Sequence, residues 1–153
     1  MTDILQLTAT ELGEAIDKGD LGPVEITKTY LDAITAHPLS PRIYSELTQD
    51  RALAEAKDAE ERARLGLRRS PLDGVPISWK DLYDTAGIKT EAGSLLLKNR
   101  VPSEDALVLK HATAMGTVCL GKTHMSELAF SGLGLNPKTA TSPCVHDIDA
   151  VSG

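Results

Sequence analysis

Cysteine is scarce in this chain. Its two cysteines, Cys119 and Cys144, form neither a CxxC pair nor the dense framework of a disulfide-held fold. Cys119 sits in the apolar run "TVCLG", where a small thiol packs as a core residue, so neither a disulfide nor a metal site is expected. Concentrated positive charge is missing as well. The 16 Lys and Arg are scattered among 22 Asp and Glu, for a net charge of −6. Apart from short pairs such as Arg68-Arg69 they form no cationic patch, which argues against direct nucleic-acid binding. Nowhere do the roughly eighteen apolar residues of a membrane span run together. The opening "MTDILQLTATELGEAIDKGD" also has no basic segment followed by a long apolar one. Neither a membrane span nor a secretory leader is expected, and the chain reads as cytoplasmic. There is no internal repeat and no low-complexity tract. What is present is an ordinary globular composition, 41% hydrophobic and 25% charged over 153 residues, enough for one domain.

The first third carries helix signals. Thr8 precedes "ATELGEAI" with Glu11 three residues on, the pattern of a capping box, and Leu7 can close over Leu12 as a hydrophobic staple. Gly19 is placed to end that helix. Pro23 suits the first position of a second helix, whose apolar stripe is Ile26, Tyr30, Ala33 and Ile34 before "HP" at 37–38 stops it. A third helix is expected after Asp50, with Leu53, Ala56 and Ala63 on one face and "KDAEERAR" solvated on the other. The stretch "LGLRRSP" has turn residues and two arginines, as a linker would.

Beyond residue 71 the texture changes. "GVPISW" and "TVCLG" are short apolar runs without polar alternation, as in strands covered on both faces. Between them, "SEDALVLKHATAMG" offers Ser103 as an N-cap and Gly116 as a terminator. The reading is α/β: a helical arm over 1–65, a linker at 66–70, and over 71–153 the first strands and helices of an α/β/α layered sheet. Two strands leave that sheet incomplete, with open edges.

Lys80 stands where the first of these strands would end, and the C-terminal ends of strands are where open α/β sheets bind ligands. A lysine there can equally snorkel into solvent or pair with Asp81. "GKTHMSELAF" reads either as a short helix capped by Thr123, with Met125 and Leu128 inward, or as part of a site. His124 has no second ligand at metal spacing. "SGLGLNP" lacks the Lys-Ser/Thr of a phosphate loop and reads as a flexible wall.

Together, "PLDGVPISWKDLYDTAGIKTEAGS" and "DALVLKHATAMGTVCLGKTHMSELAFSGLGLNP" resemble the amidase signature family, in which GVPxxxKD, TxxGS and GKTxMxExA recur in this order at about these separations. The resemblance is close over residues 71–137 and extends to the N-terminal arm. It implies that Lys80 is the lysine of a serine, cis-serine, lysine triad that cleaves carboxylic amide C–N bonds. It also implies that Met125 and Ser126 line the substrate site, that the substrate is a small-molecule amide, and that no metal or other cofactor is needed. His124 replaces the asparagine often found there.

The chemistry is coherent. A serine hydroxyl needs a base to become a nucleophile, and a lysine amine serves only when neutral. Bringing an ordinary lysine from about 10.4 to near 7 takes roughly 3 units, about 4 kcal/mol, which desolvation can supply. The apolar Ile77 and Trp79 are close by in sequence.

In the family the cis-serine lies in GGSSxG and the nucleophile in a later TDxGGS. Here Gly153 matches at most the first glycine of the former, and Ser152 precedes it and is no cis-serine. The expectation is therefore an N-terminal segment, truncated, cleaved or one of two chains, that is inactive alone and needs the remaining amidase polypeptide as partner. The alternatives are a non-catalytic docking module and one chain of a two-chain assembly, either an amidase or an amidotransferase in which this chain resembles the A subunit.

Overall fold

The computed structural model describes residues 3–152; Gly153, set above against the GGSSxG glycine, lies outside them. The chain runs through α1 (Ala9–Lys18), α2 (Pro23–Ala36), the single turn α3 (Ser40–Ile43), β1 (Tyr44–Leu47), α4 (Gln49–Arg64), β2 (Pro76–Lys80), α5 (Leu107–Ala114) and β3 (Val118–Thr123). Short 3-10 turns lie at Ile4–Gln6, Leu95–Leu97 and Glu127–Ala129. The fold is mixed α/β, with one three-stranded sheet in the order β1-β3-β2. Among the described residues no helix is long and apolar enough to cross a membrane.

The local signals act as their chemistry dictates. Thr8 Oγ1 accepts the Glu11 N–H at 3.2 Å while the Glu11 carboxylate accepts the Thr8 N–H at 2.8 Å, satisfying two donors that the start of α1 would leave open. Gly19 closes α1 in the left-handed conformation. Pro23 opens α2, which stops at Ala36 before His37-Pro38.

By contact density the chain forms two compact units. The first comprises Met1–Ala36, Thr48–Ile77 and Lys110–Leu120. It holds two apolar clusters. Leu31, Ala52, Ala56, Val118 and Leu120 form one, with Tyr30, Ile34 and Leu53 against it; Leu12, Ile16, Ile26 and Val75 form the other, with Leu7, Tyr30 and Ala63 against it. The alanines of α4 let α2 pack closely. A polar clamp adds to this: Arg62 donates from Nε and from a terminal nitrogen to Asp73 at 2.9 and 2.7 Å, and the Arg69 N–H bonds the same carboxylate at 2.8 Å.

The second unit comprises His37–Leu47, Ser78–Leu109 and Gly121–Gly153. Here β1 lies antiparallel to β3, with Tyr44 opposite Thr123 and Glu46 opposite Lys122. Nothing in the half-polar "YSEL" announces a strand; the exposed edge of β3 recruits it. On the other side of β3, Asp81 N–H bonds Thr123 O in this unit, and Val118 N–H bonds Val75 O in the first, so β2 and β3 run in the same direction.

Two cap assignments are corrected. Ser103 caps no helix, since α5 starts at Leu107. The residues before it are drawn into tertiary bonds instead, Asp105 accepting the Ala86 N–H at 2.7 Å and Ala106 N–H bonding Asp84 O at 2.8 Å. Thr123 belongs to β3 and caps nothing; the following turn is a 3-10 turn at Glu127–Ala129 in which Leu128 has φ 51°.

Candidate functional site

Side chains alternate along a strand. In β2 this sets Lys80 on the face of Ser78 and puts Ile77 and Trp79 on the other. Trp79 is buried and meets Tyr83 edge-on, ring centres 5.4 Å apart. Ser78 instead shares a 2.7 Å hydrogen bond with the Tyr44 hydroxyl. The apolar bulk next to Lys80 in sequence therefore faces away from it.

Lys80 is exposed and opens onto a cavity of about 230 Å³ within the second unit, lined also by His124, Met125, Ser126, Ala129, Ser131, Ser142 and Ser152. The structure thus gathers Lys80, Met125 and Ser126, the three residues singled out from the sequence, around one space. Ser152 is there too. Burial pushes the His124 imidazole below the ordinary histidine range, against the Pro41 backbone and Asp81, which favour its cation.

Hydrogen bonds tie part of the cavity wall together. Asn136, from "GLGLNP", is buried and uses its whole amide: Nδ2 donates to Gly93 O and Met125 O, both at 2.8 Å, and Oδ1 accepts the Lys138 and Thr139 N–H groups. Gly93 has φ 63°, and a Cβ there would stand 2.6 Å from Asn136 Nδ2 and 2.7 Å from Met125 O. Only glycine fits. Ser94 donates to Glu127 at 2.7 Å, and Leu128 N–H bonds Ala92 O. The backbone that carries Met125 and Ser126 is therefore fastened to the 92–94 turn. Leu128 and Ala129 are both left-handed, at φ 51° and 59°, strain that this fastening sustains.

Asp81 does not turn to Lys80. It is buried and meets Lys122, whose fully buried ammonium lies 3.5 Å from its carboxylate and donates to Thr90 Oγ1 at 2.8 Å. Burial pushes the Asp81 carboxyl above the ordinary range, opposed chiefly by the Lys122 charge. Sequence reading took Lys80 as the lysine of interest and passed over Lys122, which in "TVCLGK" looks like the polar end of a strand. Asn136 and Thr90 were passed over likewise. The signal was available in the words themselves, since each lies in a quoted motif, but only the fold shows them meeting. Among the described residues no group of three or more His, Cys, Asp or Glu is set to hold a metal ion.

Comparison with known proteins gives the following. The family model described as Amidase matches residues 25–153. The A subunit of the glutamyl-tRNA(Gln) amidotransferase of Streptomyces coelicolor is 38% identical over the whole chain, which spans 31% of that protein. Its namesake from Chloroflexus aurantiacus is 40% identical over 85% of the chain and 27% of its own length. Among solved structures, a chain of a vestigial protein complex bearing on the origins of an s-triazine catabolic enzyme superposes with a TM-score of 0.90 at 28% identity, over 96% of this chain and 32% of that one. The native peptide amidase of Stenotrophomonas maltophilia gives 0.73 at 34%, over 80% and 25%. The chain thus spans less than a third of the length of each of these relatives.

Proposed function

The chain belongs to the amidase family, and from that premise we propose that it is the N-terminal portion of an amidase signature hydrolase that cleaves carboxylic amide C–N bonds, with Lys80 as the base of a serine, cis-serine, lysine triad. The observation that carries this reading is the convergence of Lys80, Met125 and Ser126 on one cavity at the end of β2. The two serines and the donors for the oxyanion come from the remaining amidase polypeptide, the partner this reading requires. The nucleophilic serine attacks the amide carbonyl carbon, and its proton passes through the cis-serine to the Lys80 amine. As the C–N bond breaks, that proton returns to the leaving nitrogen, because an amide anion is too basic to depart unaided. Water then hydrolyses the acyl-enzyme by the same relay. Met125 and Ser126 line the substrate side, the substrate is a small-molecule amide, and the enzyme works in the cytoplasm without a cofactor.

The names of the two amidotransferase relatives favour a second version, in which the same relay serves one chain of an amidotransferase assembly. Lys80→Ala in the assembled enzyme tests the relay. Amide hydrolysis is expected to vanish with the fold intact, since an exposed strand-end side chain contributes little to stability. Turnover within about tenfold of the original, roughly 1.4 kcal/mol of barrier, refutes the triad role.

A further inference from the structure

Three of the sequence words, KD at 80–81, TEAG at 90–93 and GKT at 121–123, meet at one buried point, yet the proposed relay uses a single residue from them. Lys122 is wholly buried. Its ammonium donates to Thr90 Oγ1 at 2.8 Å and faces Asp81 at 3.5 Å. The Thr90 hydroxyl donates in turn to Ile88 O at 3.3 Å, and the Thr90 backbone is held by Arg100, through Thr90 N–H to Arg100 O at 3.0 Å and the guanidinium to Thr90 O at 3.3 Å. Arg100 is itself paired with Asp84 at 2.6 and 2.7 Å. Asp81 receives the Glu91 N–H at 3.2 Å and the Gly93 N–H at 3.5 Å on its carboxylate. Its own N–H goes to Thr123 O, and its carbonyl takes the Ala92 N–H.

We propose that Asp81, Lys122 and Thr90 are positioning residues for Lys80. Asp81 is the next residue along the chain from Lys80, so whatever fixes Asp81 fixes the backbone from which the Lys80 amine projects into the cavity. The same cluster anchors the 90–93 turn, and through Gly93 and Asn136 it reaches the carbonyl of Met125 on the facing wall. One buried cation thus sets both the base and the substrate side. A buried cation beside a buried carboxylate is a costly way to hold a strand end, and the spacing it secures matters because a displacement of about 1 Å in a reacting group can cost on the order of 100-fold in rate. Lys122 does not touch substrate; it acts through Asp81 and Thr90.

The inference rests on the reading of Lys80 as the base, and the test separates the two. In the assembled enzyme, Lys122→Met, Asp81→Asn, the double variant and the milder Thr90→Val are compared with Lys80→Ala for kcat, KM and melting temperature. Lys122→Met and Asp81→Asn are each expected to lower kcat by about 100-fold with KM within about threefold. The double variant, which buries no unpaired charge, is expected to regain at least tenfold over either single one. Thr90→Val removes both hydrogen bonds of the hydroxyl and keeps the shape; it is expected to lower kcat by about tenfold even if Lys122→Met does not fold. If the folded variants keep kcat within threefold while Lys80→Ala is inactive, the positioning role is wrong and the base assignment stands. If Lys80→Ala itself retains turnover, the reading beneath it fails first. A melting temperature lowered with kcat unchanged also overturns the inference, since a purely structural pair would behave that way.

Discussion

At Gly93 a single hydrogen atom in place of a methyl group decides whether the cavity wall can close. Gly93→Ala would press on Asn136 and Met125 O in a backbone conformation that disfavours any Cβ, at a cost of about 1–3 kcal/mol. Thermal denaturation is expected to show that loss, and Asn136→Ala should not relieve it, because the Met125 carbonyl remains. Charged residues speak through pH. The Asp73 carboxyl is pushed up by burial but more strongly held down by Arg62 and the Arg69 N–H, leaving it below the ordinary aspartate range. A folded-state value below the unfolded one means stability that is present above the ordinary range near 4 and is lost as pH falls through the folded value. Asp81 has the opposite sign, its folded value being raised, so its contribution is fullest at low pH and declines as pH rises through that value. Denaturation between pH 2 and 7 should therefore show an acid-side loss that Asp73→Asn reduces. Removing one partner of this buried pair, as in Arg62→Met, is expected to cost about 3–5 kcal/mol at pH 7. An unchanged midpoint would show that the clamp carries no stability.

Among the elements, α1 owes its start to sequence alone, and Thr8→Ala is expected to cost about 1 kcal/mol by removing the cap, measured as a shift in the urea midpoint. The strand β1 is the contrary case. Its four residues have no apolar alternation, and they become a strand because β3 has backbone groups to pair; the Tyr44–Ser78 hydroxyl bond then ties it to the Lys80 face of β2. The start of α5 shows the same competition in reverse, where the bonds to Asp105 and Ala106 outweigh a good N-cap at Ser103. Propensity over three or four residues is worth less than two tertiary hydrogen bonds.

For the whole molecule, β1 and β2 are the outer strands of the sheet, and Phe130 and Val145 are 94% and 92% exposed. Open strand edges and uncovered apolar side chains favour association. The 153-residue chain is expected to elute above its monomer mass in size-exclusion chromatography and, under the proposed function, to hydrolyse neither amides nor esters by itself. Supplying the polypeptide that carries the two serines is expected to lower that association and restore hydrolysis in proportion to complex formed. A monomeric and hydrolytic short chain would overturn the proposed function.

The sequence by itself determined the start of α1 at Thr8, its end at Gly19, the opening of α2 at Pro23, the two apolar strands and the family resemblance. Those are local or motif-borne properties, set by backbone chemistry within a turn or by the spacing of words along the chain. Only the tertiary structure decided that Asp81 would turn from Lys80 to Lys122, that Asn136 would join Gly93 to Met125, and that "YSEL" would be a strand. Each of these depends on groups tens of residues apart competing for the same buried donor or acceptor, and a buried polar group takes whichever partner the packing brings within reach.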